Sequence, residues 1–109
     1  MQIKGIEIDF DFLDADNVEK FENEAKKVVE KSKIEQKEIT YSQALKMECE
    51  IVEDFIDNVF GKGVSKKIFK GKKNLKEHIE VFQEIADEKN NAQQDLQNLY
   101  NQYLPKQEK

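Results

Sequence analysis

The sequence predicts a mainly α-helical domain that opens with a short β-strand or hairpin, followed by three main helices and a short helical turn before the last. Three observations carry this. "IEIDFDF", residues 6–12, alternates apolar and acidic side chains with period two, the mark of a half-buried strand. Beyond it, apolar residues recur at three- and four-residue steps, the helical period. Glycines and short polar caps fall between those runs rather than inside them. At 109 residues, a single domain spanning 1–109 is expected.

Each element has its own reason. Gly5 lies between "QIK" and the alternating run, where it can turn a hairpin that pairs Ile3 with that run, so residues 1–13 are read as strand or hairpin. Asp16, with Glu19 three residues on, resembles a capping box. Val18, Phe21, Ala25 and Val28 then share one helical face, widened by Val29, and the helix should fade between Lys31 and Lys37, where Ile34 is the only apolar residue. Thr40 with Gln43 gives the next start. Leu45, Cys49, Val52, Ile56 and Val59 make one stripe of that helix, and Met47, Ile51 and Phe55 make a second. A helix apolar on two sides is expected at the centre, with neighbours on both. Gly61 or Gly63 ends it. Val64, Ile68 and Phe69 should face inward from a short helical turn that Gly71 breaks, and Asn74 caps the last helix.

That last helix carries a heptad-like seam through Leu75, Ile79, Phe82, Ala86, Lys89, Gln93, Leu96, Tyr100 and Tyr103, with Ile85, Ala92 and Leu99 beside it. Pro105 ends it, and 104–109 reads as a frayed tail. About thirty residues of helix span roughly 45 Å, more than a small domain readily covers. Its second half, with a sparse line of Leu96, Leu99, Tyr100 and Tyr103, therefore either protrudes or lies along another chain, and these four residues are the candidate protein-binding surface.

Charge narrows the function. Charged residues make up 38% of the chain and the net charge is −5, which argues against global attraction to nucleic acid or anionic membrane. All eighteen basic residues are lysine, so the planar fork that reads phosphate and guanine bidentately is missing. No apolar run approaches the roughly 20 residues of a membrane span. The single cysteine, Cys49, suits a reducing compartment, and the reading is of a soluble, cytoplasmic protein.

One segment departs from the acidic background. "FGKGVSKKIFKGKKNL", residues 60–75, holds three glycines and six lysines. With Lys76 it makes a basic corner of Lys62, Lys66, Lys67, Lys70, Lys72, Lys73 and Lys76, with no acid between Asp57 and Glu77. The glycine spacing is wrong for a P-loop, and the segment follows a helix rather than a strand. Phosphate contact through the lysines would be salt-dependent, yet Phe69 alone is available for stacking. A basic turn between helices accounts for the same residues, and so does contact with an acidic face of a second copy.

Catalytic and metal chemistry find little material. "DFDFLDAD" does not place oxygen ligands and glycine as a calcium loop requires, and reads instead as the wet face of a strand followed by a helix cap. One histidine, His78, and one cysteine cannot furnish a zinc set. Cys49 reads as a small buried hydrophobe and His78 as a solvated side chain. No enzyme activity and no cofactor are expected.

The order of these pieces resembles a known family. "IEIDFDFLDADNVEKFENE" looks like the opening of small proteins encoded in siphophage tail-assembly gene clusters and related prophages of Gram-positive bacteria. "ALKMECEIVEDFIDNVFGKGVSKKIFKGKKNLKEHIEVFQEI" is the more specific match, with a helix ending in Phe-Gly, a Gly-x-x-x-x-Ile-Phe-x-Gly turn, and Asn-Leu opening the last helix. The resemblance implies a tail assembly chaperone, a non-enzymatic helper that coats the phage tape measure protein and keeps it soluble until tail-tube subunits assemble around it. Such helpers commonly act as homo-oligomers. Gly61, Gly63, Phe69, Gly71, Asn74 and Leu75 are the matching turn residues, with a structural role. The alternative reading is a small nucleic-acid-binding accessory protein that uses the Lys-rich segment 62–76.

Overall fold

The computed structural model describes residues 1–32 and 38–103. Its elements are β1 (Gln2–Ile3), β2 (Ile6–Glu7), α1 (Ala15–Ser32), α2 (Tyr41–Phe60), α3 (Val64–Phe69) and α4 (Leu75–Tyr103). The architecture is mainly helical behind a two-stranded antiparallel hairpin, as the sequence predicts. Ile34, the expected fade of α1 beyond Ser32, Pro105 and the expected tail 104–109 lie outside the described residues.

The hairpin pairs Ile3 with Ile6 and Gln2 with Glu7. Lys4 and Gly5 both take positive φ, 52° and 78°, the two-residue turn whose twist matches that of the flanking strands. The expected strand over 6–12 is shorter than its pattern: pairing covers only Ile6 and Glu7, although Ile8 still donates to the Met1 carbonyl oxygen at 2.7 Å. From Asp9 the alternation persists without a ladder, because helices rather than a strand receive the inward side chains. Phe10 meets Phe60 edge-on, and Phe12 meets Phe21. Contacts of the same kind continue through Phe55 to Phe82, so one aromatic chain links the N-terminal segment to α1, α2 and α4. Each such pair adds about 0.5–1.5 kcal/mol beyond area burial.

α1 starts slightly earlier than expected. Asp14, not Asp16, is the cap: its Oδ1 accepts from the Asn17 amide at 3.1 Å, and its carbonyl oxygen accepts from the Val18 amide. Phe21 is buried, with Val18, Ala25 and Val28 half-buried on the same face. Val29 faces water, at 53% exposure, since α2 covers only the line through 21, 25 and 28. Asn58 donates to Glu24 at 3.1 Å, and Lys31 reaches Asp54, so α1 runs antiparallel to α2.

α2 is the central helix and packs against α1, α3 and α4. Its capping box is complete: the Gln43 amide donates to Thr40 Oγ1 at 3.1 Å, and the Thr40 amide donates to Gln43 Oε1 at 2.9 Å, an arrangement worth about 1 kcal/mol. Cys49, Val52, Phe55, Ile56 and Val59 are buried along it. Leu45 is half-buried, and Met47, at the head of the second stripe, is exposed. Gly61 closes the helix by donating to the Asp57 carbonyl oxygen at 3.0 Å.

Candidate protein-binding surfaces

The segment between α2 and α4 is built by its own side chains. The Asp57 carboxylate reaches across the turn and accepts from both the amide and the hydroxyl of Ser65, at 2.9 and 3.0 Å, which fastens the first turn of α3 to α2. Gly63 and Gly71 have φ of 88° and 81°, left-handed conformations that a Cβ would strain. Ile68 and Phe69 point into the core, at 8% and 2% exposure. Asn74 caps α4, accepting from the Glu77 amide at 2.9 Å, and Leu75 follows half-buried.

His78 is wholly buried, where the sequence suggested a solvated side chain. Its ring stacks on Phe69 with centroids 3.6 Å apart and planes 5° from parallel. Nδ1 donates to the Asn74 carbonyl oxygen at 2.7 Å, and Nε2 lies 2.7 Å from Glu53 Oε2. The other oxygen of that carboxylate accepts from Lys73 Nζ at 2.6 Å. One glutamate of α2 therefore holds both the histidine of the first turns of α4 and the lysine just before it. The ion pair raises the Lys73 ammonium above its ordinary range. Cys49, one turn earlier on α2, has its thiol pushed up, mainly by burial and then by the Glu53 charge. A protonated, wholly buried thiol is a poor nucleophile.

The seam of α4 explains the burial of His78. The buried line is His78, Val81 and Ile85, continued by half-buried Glu88 and Ala92. It lies one residue, or about 100°, round the helix from the line through Ile79, Phe82, Ala86 and Lys89. Ile79 is consequently 56% exposed, whereas Phe82, Ala86 and Lys89 of the expected line are half-buried and Phe82 packs against the core. Counting only apolar residues hides the true line, because polar residues, His78 and Glu88, occupy two of its positions. The signal that could have revealed it is the 3-4-7 spacing of His78, Val81, Ile85 and Ala92.

The second half of α4 leaves the body of the protein. Every residue from Gln93 to Tyr103 is exposed. Leu96, Leu99, Tyr100 and Tyr103 stand at 39%, 42%, 52% and 77% exposure. Asp95 is the sole charged residue between Asn90 and Tyr103, so this projecting helix is nearly neutral in a chain that is otherwise densely charged.

The basic corner is gathered at the turns flanking α3. Lys62, Lys66, Lys67, Lys70, Lys72 and Lys76 are exposed, and among the described residues none of them pairs with a carboxylate. Lys73 is set apart by its bond to Glu53. A groove also opens between the starts of α2 and α4, lined by Tyr41, Leu45, Leu75 and Ile79, three of which the sequence had assigned to buried lines. Among the described residues, no helix is long and apolar enough to cross a membrane.

These features define a small helical protein whose polar tie is structural and which exposes apolar residues at both ends of α4 as well as singly at Leu13, Val29 and Met47. Residues 4–109 match the model of a family described as a family of unknown function (DUF6673), and the chain belongs to that family. No curated protein and no solved structure matches it.

Proposed function

We propose that this protein is a non-enzymatic binding factor that shields apolar helices of another polypeptide and, following the resemblance of its turn segment, a tail assembly chaperone for a phage tape measure protein. The observation that carries the reading is the projecting part of α4, where four large apolar side chains stand in water on a nearly uncharged helix. A stripe of this kind suits contact with a second helix, while the acidic exterior keeps the protein soluble. The test is co-expression with the tape measure protein encoded nearby, following how much of that partner stays in the soluble fraction. Soluble tape measure protein that returns to the pellet with the Leu96→Ser/Leu99→Ser/Tyr100→Ser variant is the expected result. A partner equally insoluble with and without this protein overturns the reading.

The second reading, nucleic-acid binding, rests on the six exposed lysines gathered about α3. It requires tight DNA binding that weakens steeply with salt and is lost in Lys66→Glu/Lys67→Glu/Lys72→Glu. Binding that is weak at low salt removes it.

A further inference from the structure

We infer that the contact between His78 and Glu53 is a proton-operated clasp: it holds the start of α4 on α2 while a proton lies between the two side chains, and it opens when that proton leaves. The clasp is independent of which partner the protein binds.

Hydrogen-bond counting locates the proton. A neutral imidazole has one N–H and one bare nitrogen, yet both ring nitrogens of His78 face acceptors. Nδ1 meets the Asn74 carbonyl oxygen at 2.7 Å, which can only accept, and Nε2 meets Glu53 Oε2 at 2.7 Å. Each contact therefore needs a proton of its own. With Nδ1–H donating to Asn74, the second proton sits either on Nε2, opposite a carboxylate, or on Glu53, opposite a neutral ring. Lys73 donates to the other carboxylate oxygen at 2.6 Å, which favours the ionised carboxylate and so the imidazolium. The ring of Phe69 lies parallel to His78 at 3.6 Å, where an aromatic face attracts a cation. In either placement the pair holds one proton more than a neutral histidine beside a carboxylate.

The surroundings leave that proton to one carboxylate. Burial, the Lys73 ammonium and the positive start of α4 all act against a cation at this place, and Glu53 acts for it. On α2, the Cys49 thiol one turn away is protonated, Asp57 already accepts from Ser65, and exposed Glu50 acts on Lys73 and Cys49. α3 presents the Phe69 ring, while its Lys66 and Lys67 are exposed. Along α4, Lys76 and Glu80 are exposed and Glu77 is half-buried. Lys4 of the hairpin meets α4 further on, at Glu80 and Glu84. The His78 ring is sealed, but the Glu53 and Lys73 side chains keep 17% and 33% exposure, which gives the proton a way to water. Once it has gone, two lone pairs face each other at 2.7 Å. Among the described residues no buried side-chain nitrogen or oxygen lacks a partner, and a bare Nε2 would be the exception. The contact then breaks, and with it the tie of the first turns of α4 to α2. The same Asn74 carbonyl oxygen also accepts from the His78 amide at 3.1 Å, so a displaced ring disturbs the helix start directly.

His78 is the single histidine of the chain, so NMR of imidazole nitrogens reads it without ambiguity. The full chain is titrated from about pH 5.5 to about pH 8.5, across the ordinary imidazole value of about 6.5. Cys49 and Lys73, both raised from 9.0 and 10.5, titrate above this window. The unfolded chain gives up the histidine proton near 6.5, whereas the clasp keeps it, so the stability it adds is whole below about 6.5 and is lost as pH rises through the release. At about pH 7, where an ordinary imidazole is mostly neutral, both ring nitrogens should still carry or share a proton. At higher pH that signature should vanish together with about a tenfold loss of amide protection over residues 78–82, after correction for intrinsic exchange, the equivalent of one pH unit of proton retention. Exchange beyond Gln93 should be unaffected. In Glu53→Gln the side-chain amide can donate to a neutral Nε2 while its oxygen accepts from Lys73, so the clasp stays shut without the proton and protection should be flat across the window. A bare ring nitrogen at about pH 7 in the folded wild-type chain overturns the inference. So does wild-type protection that stays flat across the window, or a Glu53→Gln variant that loses protection as the wild type does. Should that variant not fold, the wild-type titration decides alone.

Discussion

The two halves of α4 are one continuous helix under two different regimes. From Leu75 to Ala92 the helix is held by the core, by the stack of His78 on Phe69 and by the Glu53 carboxylate. Lys4 adds a further tie there, its amide donating to Glu84 at 3.2 Å. From Gln93 to Tyr103 every residue is exposed, and among the described residues a Gln94–Asn98 contact at 3.5 Å is its one side-chain hydrogen bond. Helical stability in proteins comes mostly from packing an apolar face rather than from propensity. The first half is therefore structure that the fold needs, and the second is structure the fold leaves open to something else. The comparison also separates two kinds of apolar residue: Ile85 supports the molecule, whereas Leu99 is spare.

The largest effect expected is on that contrast itself. Ile85→Ala should cost about 2–5 kcal/mol of stability, the range for truncating a buried aliphatic side chain. Leu99→Ala should stay within about 0.5 kcal/mol in the isolated protein. Urea unfolding of both variants measures the difference, and similar losses would break the division of α4 into supported and open halves.

A smaller effect sharpens the comparison at the start of the helix. Glu53→Ala leaves His78 Nε2 buried without its partner and releases Lys73, which should cost about 1–3 kcal/mol. The loss should appear together with faster amide exchange in the first turns of α4 and unchanged exchange beyond Gln93. Unaltered exchange near His78 would mean that the stack on Phe69 alone positions the helix.

The smallest effect is alkaline. Lys73 and Cys49 both have raised proton affinities in the folded chain, from ordinary values of 10.5 and 9.0. A group raised on folding contributes stability that is fully present below its unfolded value and lost as pH climbs through its folded one. Stability should therefore decline from about pH 9 upward, first through the thiol and then through the ammonium. Lys73 is partly exposed, so water screens its share. Cys49→Ala should remove the earlier part of the decline in thermal melts recorded across this range. A melting temperature that rises over the same interval would contradict both assignments.

Much of the architecture was legible because it is governed locally. The Thr40–Gln43 box, the Asn74 cap and the Lys4–Gly5 turn depend on residues within a few positions of one another, and local rules suffice to find them. The strand over 6–12 was half legible: the burial of Ile8 and Phe12 follows its period, but its partners turned out to be aromatic rings on helices. The candidate surfaces were less legible. The open line of Leu96, Leu99, Tyr100 and Tyr103 could be suspected from helix length, whereas Tyr41 and Ile79 gave no sign that they would border one groove.

What the sequence by itself determined is the list of elements, their caps and turns, and the acidic, arginine-free surface chemistry, because these follow from side-chain type and near-neighbour spacing. What only the tertiary structure decided is which line of α4 is buried. A shift of one residue separates Ile79 from His78, and both lines satisfy the helical period almost equally well. The choice fell to the ring of Phe69 and the carboxylate of Glu53, which come from elsewhere in the chain and become neighbours only after the helices pack.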